Sequence, residues 1–273
     1  RLLAHKVGTL NIGTTDIDVP DSYQAWVLDK ASNWASTTFN ASTTESRTHN
    51  NLNQITARDS TSLTYDLNGN LRSDGLTTYS FDALNRLVSA EKLNGTISTY
   101  AYDYANRRVN RHVVGQIEIG YIWNGWNSVE EYDTGISGTL VREYIYGRYI
   151  DEPVVFISFA TTYYYAQDRM FSVVSLVDSS GEIVELYEYT PYGDIRIHAN
   201  MGEDQIWFTT DDVCVPSSTR GNSLTFVGRN YDPEIKSYYH RYRYYNPTLG
   251  AYITRDPDVR YMHSNLYSYC ISD

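Results

Sequence analysis

Three copies of one short pattern constrain this chain more than any other feature. Tyr65-Asp66-Leu-Asn-Gly-Asn-Leu71 is echoed by Phe81-Asp82-Ala-Leu-Asn-Arg-Leu87, then by Tyr102-Asp103-Tyr-Ala-Asn-Arg-Arg108. The aromatic-Asp pairs stand 16 and then 21 residues apart, which leaves room in each unit for about two short strands and two turns. The chemistry within a unit is legible. The aromatic packs at a strand end, the Asp caps turn amides, and the Gly or Asn four residues after the aromatic takes a left-handed conformation.

Alternation between these units supports the same reading. Ile117, Ile119, Tyr121 and Trp123 fall on one face of a strand, as do Tyr100, Tyr102 and Tyr104. Tyr144 with Tyr146, and Ile183 with Tyr187 and Tyr189, repeat the period of two that marks a half-buried strand. Asn68-Gly69, Asp74-Gly75, Asn94-Gly95, Asn124-Gly125, Asp133-Thr-Gly135 and Ser179-Ser-Gly181 supply the positive φ angles of tight hairpin turns. Helical periodicity is hard to find. The expected fold is therefore all-β, built from repeated β-hairpins. The chain holds 27 Tyr against 7 Phe, a bias that suits strands with packed rings and wet hydroxyls on one accessible face. The alternation lapses over 200–223, which is expected to be a loop separating a hairpin region, 1–199, from a Tyr-dense segment, 224–273.

Composition narrows the function classes. The chain has 273 residues, 41% of them hydrophobic, enough to bury a real core. A net charge of −11 argues against a non-specific nucleic-acid binder, which needs a basic footprint. Two cysteines, Cys214 and Cys270, allow at most one internal disulfide. The densest apolar run, 153–160, is far too short to span a membrane. The chain opens without an initiating Met or a signal-like segment and stops at Asp273 in mid-motif, so it reads as part of a longer polypeptide.

The aromatic-Asp units resemble YD repeats. The stretch from Gln167-Asp168 to Pro191-Tyr-Gly193 resembles the segment before an RHS core. Gly228-Arg229-Asn-Tyr231-Asp232-Pro233-Glu234, Tyr238–Tyr245, Pro247-Thr-Leu-Gly250 and Arg255-Asp256-Pro257 follow in the order of the RHS-repeat-associated core. That core closes the shell in bacterial polymorphic toxins and in the C subunits of insecticidal toxin complexes. Weaker likeness reaches back to Trp26–Trp34 and to His49-Asn50. The resemblance implies a spiralling sheet of hairpins wrapped round a hollow that holds a C-terminal toxin or effector. Two departures bear on turns. Ile235-Lys236-Ser237 stands where the family has Thr-Gly-Leu, and Val259 stands where it has Gly.

In the family, two Asp-Pro-x-Gly motifs supply paired carboxylates for self-cleavage, one acting as base and the other as acid. Asp256, with Arg255 adjacent, matches the first carboxylate; the second motif would lie beyond Asp273. No complete catalytic constellation is assembled otherwise, so the chain is expected not to be an enzyme in its own right. Tyr238–Tyr245, taken as one strand, puts Tyr238, His240, Tyr242 and Tyr244 on one face and Tyr239, Arg241, Arg243 and Tyr245 on the other. Such interleaving could stack bases or sugars, but a core strand with cation–π pairs is the favoured reading. Glu203, Asp204, Asp211 and Asp212 lack the spacing of a Ca²⁺ loop, and the six His lack metal-ligand spacing. Asn40-Ala-Ser42 and Asn94-Gly-Thr96 match glycosylation acceptors, a pattern common by chance.

No cofactor, metal, nucleic acid or transmembrane segment is expected. The resemblance implies a secreted or surface shell segment whose partners are its own C-terminal cargo and other segments of the same shell. The alternative is an extracellular adhesion or filament-forming module that binds glycans or further copies of itself.

Overall fold

The computed structural model describes the chain except for residues 1, 9, 10, 12, 14, 15, 18–21, 41, 42, 136, 137, 259–264 and 270–273. Val259 and Cys270 therefore lie outside the described residues, as do positions 41 and 42 of the Asn40 acceptor motif. The described residues are β-strands, turns and one 3-10 turn, Phe226–Gly228. None forms a helix long and apolar enough to cross a membrane.

Two compact units are present, Arg1–Thr78 with Gly250–Asp273, and Tyr79–Leu249. In the first, six antiparallel strands from Ala4–Val7 to Thr61–Ser62 follow one another across a sheet in chain order. Its core holds Trp26 and Trp34, whose rings lie 5.8 Å apart. The Arg47 guanidinium sits over the Trp34 ring at 4.7 Å while Glu45 takes its charge. Gly250, at φ +65°, lies so close against Trp34 that any side chain there would overlap the ring.

Twelve consecutive strands of one long sheet, Leu87–Lys92 to Val213–Val215, lie in the second unit, again hydrogen-bonded in strict chain order and antiparallel. Each hairpin extends the sheet by pairing with the one before, so nearly all backbone pairing is local. Alternation decides which side chains turn inward. In Ile97–Tyr102, Ser98 and Tyr100 are buried while Thr99 and Ala101 are exposed. Tyr144, Phe156 and Tyr163 stand opposite one another on three successive strands. Their rings form a ladder, stacked at 5.5 and 5.7 Å. Phe156 is fully buried, worth about 1.5–3 kcal/mol by area.

The loops between strands follow one design. Asp82 N–H donates to Arg86 O at 3.0 Å, Asn85 N–H donates to Asp82 O at 3.0 Å, and Asn85 takes φ +61°. This is a three-residue hairpin loop with a left-handed third residue. The Asp82 carboxylate accepts from the Leu84 and Arg86 amides at 2.9 and 3.0 Å. Asp103 does the same for Ala105 and Arg107, with Asn106 at φ +63°. Asp66 does it for Asn68 and Asn70, with Gly69 at φ +86°. The loop also recurs at Asp29, Asn50, Asp168, Asp178 and Thr190, where the left-handed residues are Ser32, Asn53, Phe171, Gly181 and Gly193.

Four expectations need correction. Tyr104 does not share a strand face with Tyr100 and Tyr102; it sits in the Asp103 loop and is 97% exposed. The strand ends at Tyr102 because Asp103 starts the turn. Tyr238–Tyr245 is a hairpin, not one strand. Ser237–His240 pairs with Arg243–Asn246, turning at Arg241 with φ +61°. Tyr238 therefore stands opposite Tyr245, and Tyr239 opposite Tyr244. A short strand, Val213–Val215, forms within the expected loop 200–223. Finally, many Tyr hydroxyls are not wet, for the reason given next.

Candidate functional site

One aromatic position of the repeat carries a hydrogen bond that the pattern alone did not reveal. Tyr102 Oη donates to Leu87 O at 2.7 Å, Trp123 Nε1 to Arg108 O at 2.7 Å, Tyr146 Oη to Ser128 O at 3.1 Å and Tyr189 Oη to Val173 O at 2.7 Å. Gln167 Nε2 donates likewise to Pro153 O. In each case a side chain at the end of one strand reaches the carbonyl at the start of an earlier strand. The backbone register shifts by a bulge at Tyr102, Trp123, Tyr146 and Gln167. A bulge leaves ladder groups without backbone partners, and a side-chain donor supplies one. Tyr does this where Phe cannot, which accounts for part of the Tyr excess.

The inward side of the second unit's sheet is covered by residues 218–249. At one end, the buried Glu185 carboxylate accepts from the Thr219 and Arg220 amides and from the Ser218 and Thr219 hydroxyls. Tyr165 Oη donates to Asn222 Oδ1 at 2.8 Å. Tyr238 Oη and Tyr245 Oη donate to Gly193 O and Tyr192 O, each at 2.7 Å. Gly193 must be Gly: its φ is +86°, and an added Cβ would meet the Phe226 ring.

At the other end lies a buried ionic clasp. Arg108, wholly buried, donates from Nη1 to Asp232 at 2.5 Å and to Tyr244 Oη at 2.9 Å. Its guanidinium is 4.8 Å from both the Tyr121 and Tyr239 rings. Arg111 pairs with Glu234, which also accepts from Tyr100 Oη at 3.1 Å. Burial alone would weaken the Arg108 cation, but Asp232, with Tyr121 and Tyr244, holds it well above the ordinary arginine value. Burial pushes the Tyr121 hydroxyl up to about 12 against the pull of Arg108, so it remains a neutral partner. The Arg-rich and Tyr-rich segments thus form a structural core; the cation–π reading of 238–245 is correct in kind, with the key cation supplied by Arg108.

Asp256 belongs to the first unit. Its Oδ1 accepts from the Asp258 amide at 2.9 Å, and its own N–H donates to Leu266 O at 3.0 Å. The carboxylate is half-buried, and Arg255 is exposed with its aliphatic stem against Gly69. Tyr267 closes the same corner, donating to Gly69 O at 2.7 Å and accepting from Gln54 Nε2 at 2.9 Å. The acidic loop is occupied with its own backbone. Asp211 Oδ2 accepts from the Glu203 and Asp204 amides, and Asp212 Oδ2 accepts from the Phe208 amide and meets His198 Nδ1 at 2.7 Å. Among the described residues, no group of three His, Cys, Asp or Glu could hold a metal ion.

Residues 15–270 match the family described as Teneurin YD-shell. The chain belongs to the teneurin YD-shell family. It is 29% identical over 220 residues to the tRNA3(Ser)-specific nuclease WapA of Bacillus spizizenii, covering 80% of this chain and 9% of that protein. It is 28% identical over 186 residues to the probable deoxyribonuclease RhsA of Dickeya dadantii, covering 66% of this chain and 12% of that protein. The chain thus spans about a tenth of the curated relatives it matches. The Photorhabdus luminescens Tc holotoxin pore shares its fold, with a TM-score of 0.63 at 16% identity, over 90% of this chain and 12% of that one. The YD-shell turns are the loops that begin at Asp66, Asp82 and Asp103. The Asp29, Asn50 and Asp168 loops escaped a reading by sequence because Ser32 and Phe171 do not advertise positive φ, and because Asn50 replaces Asp.

Proposed function

We propose that this chain is a closing segment of a secreted or surface-exposed β-shell that encloses a toxic C-terminal cargo. The observation that carries the reading is the seating of residues 218–249 across the inward side of the hairpin sheet, which ties strands far apart in sequence into one wall. The relatives support it in a second way. WapA is named for tRNA cleavage and RhsA for DNA cleavage. A stretch shared by proteins of different named activity serves both as a scaffold, and the chemistry belongs to other parts of them. The partners of this chain are then its cargo and the remaining segments of the same shell.

Asp256 is assigned as one half of a carboxylate pair that releases the cargo by self-cleavage. Paired carboxylates share a proton, so one acts as base and its neighbour as acid. Two experiments test the reading. Electron microscopy of the full-length protein should show a closed shell with density inside it; an open sheet with an empty concave side would refute enclosure. The full-length protein should cleave itself on expression and the Asp256→Asn variant should stay whole. Cleavage in both would place the chemistry elsewhere.

A further inference from the structure

Three hairpin loops of the first unit, those that begin at Asp29, Asn50 and Asp66, converge on Asn265 and Tyr267. Asn265 Nδ2 donates to Asn33 Oδ1 at 2.7 Å and to Ala31 O at 3.3 Å, which engages the Asp29 loop. Gln54 accepts from Asn50 Nδ2 at 2.7 Å and donates from Nε2 to Tyr267 Oη at 2.9 Å. Tyr267 Oη in turn donates to Gly69 O at 2.7 Å, in the Asp66 loop. The first two loops are also tied to each other, because Asn33 Nδ2 donates to Asp29 Oδ2 and Asn53 Oδ1, each at 2.9 Å. Asn33, Gln54, Asn265 and Tyr267 are all buried.

The stretch gripped in this way holds Asp256. Asp256 N–H donates to Leu266 O at 3.0 Å, and Tyr252 N–H donates to Tyr267 O at 2.9 Å. Asn265 Oδ1 accepts from Tyr267 N–H at 3.0 Å, which fixes the backbone on both sides of Leu266. From the opposite direction, Leu71 N–H donates to Ile253 O at 2.8 Å. Gly69 permits the close approach: its φ is +86°, and an added Cβ would stand 2.4 Å from Arg255 Cδ and 2.6 Å from Tyr267 Oη. Apolar side chains would suffice to cover a sheet end. A buried relay of directional hydrogen bonds does more, since it fixes one arrangement of the groups it joins.

We propose that Asn33, Gln54 and Tyr267 are positioning residues for Asp256, so that self-cleavage waits until the three loops have folded. The inference rests on the reading of Asp256 as half of a cleaving carboxylate pair. In that reaction water adds across a peptide C–N bond. One carboxylate takes a proton from the attacking water and its neighbour gives one to the leaving nitrogen, yielding a new carboxyl and a new amine. A misplacement of about 1 Å can slow such a step about 100-fold, and the relay governs where the Asp256 backbone lies. A chain whose Asp29, Asn50 or Asp66 hairpin is unfolded then keeps its cargo attached.

The test follows cleavage of the full-length protein on gels during a time course of cell-free synthesis. Tyr267→Phe and Asn33→Ala should each slow cleavage by about 10- to 100-fold. Trp26→Phe, in the core of the same unit but outside the relay, should lower the thermal midpoint and leave the cleavage rate unchanged. Amide hydrogen exchange supplies a readout that needs no cleavage. In the uncleaved Asp256→Asn protein, adding Tyr267→Phe should quicken exchange across residues 253–258 by about tenfold or more and leave Ile97–Tyr102 in the second unit unchanged. Thermal midpoints establish folding, and Tyr267→Phe, which loses only a hydroxyl, decides the matter if Asn33→Ala does not fold. Wild type that stays whole, or Asp256→Asn that is still cut, refutes the cleavage reading and this proposal with it. Wild-type cleavage rates in the relay variants while Asp256→Asn stays whole, equal slowing by Trp26→Phe, or unchanged exchange at 253–258 would each overturn the proposal alone.

Discussion

Arg108 and Asp232 form an ion pair 2.5 Å long, with both side chains sealed from solvent and standing 124 positions apart in the chain. One partner stands on a strand of the hairpin sheet and the other in the segment that covers it. The Arg108 guanidinium also donates to Tyr244 Oη and Tyr121 Oη, and Arg111 stands 3.4 Å from the Asp232 carboxylate, so each charge keeps polar partners where water is absent. Breaking it from one side should therefore cost far more than replacing it whole. Arg108→Met is expected to destabilise the second unit by about 3–5 kcal/mol, because it strands the Asp232 charge. Arg108→Met with Asp232→Leu should recover a large part of that loss. Urea unfolding of the three proteins measures both effects, and additive losses in the double variant would contradict the clasp.

The side-chain-to-carbonyl bonds predict an unequal response to loss of a hydroxyl. Tyr102→Phe and Tyr189→Phe should each cost about 1–3 kcal/mol, since a carbonyl is left without its donor. Tyr104→Phe, on the exposed loop residue, should stay within about 0.5 kcal/mol of the parent. Chemical denaturation of the three variants separates them, and equal losses would mean that the hydroxyls of Tyr102 and Tyr189 contribute no more than an exposed one.

Backbone conformation gives a pair of opposite signs. Lys236, a non-glycine residue in a turn, takes φ +48°. The left-handed cost of about 1–2 kcal/mol disappears in Lys236→Gly, offset by about 0.5–1 kcal/mol of extra chain entropy, for a net gain of about 0.5 kcal/mol. Gly193→Ala should be strongly destabilising, because φ +86° is combined with Phe226 ring atoms 2.6 Å from the new Cβ. Shifts in thermal midpoint in those two directions are the expected result.

Acid should loosen the hairpin loops. Burial alone would raise Asp82, but the Arg86 and Leu84 amides and the Arg86 side chain hold its carboxyl below the usual range. Asp103 is held down in the same way by Arg107 and Ala105. A depressed folded value means that the stabilisation is fully present above the unfolded value of about 3.9 and is lost as pH falls through the folded value. Circular dichroism against pH should therefore show the wild type losing stability below about pH 4. The Asp82→Asn/Asp103→Asn variant, less stable at neutral pH, should show a flatter acid limb.

Much of this fold was readable from the sequence because its pairing is local. Alternation located Tyr100, Tyr121 and Tyr144 on the buried side, and the units at Asp66, Asp82 and Asp103 located the turns. The faces of 238–245 were misread because nothing in Arg241-Tyr242 signals a tight turn: neither residue is Gly, Asn or Asp, and Arg241 adopts positive φ under tertiary constraint. The clasp was hidden for a different reason. Arg108 looks like one more charge at the end of a repeat, and only the three-dimensional fold brings Asp232 to it. Asp256 was located by resemblance, and its amide contacts alone would mark it as a turn residue.

Protection of the cargo from protease tests enclosure most directly. The full-length protein is digested with trypsin under native conditions, beside the same cargo expressed by itself, and again after urea has unfolded the shell. Enclosure predicts that the cargo survives in the native full-length protein while the isolated cargo is cut, and that protection vanishes when the shell unfolds. Digestion of the cargo in the native protein as fast as the isolated cargo would contradict the account.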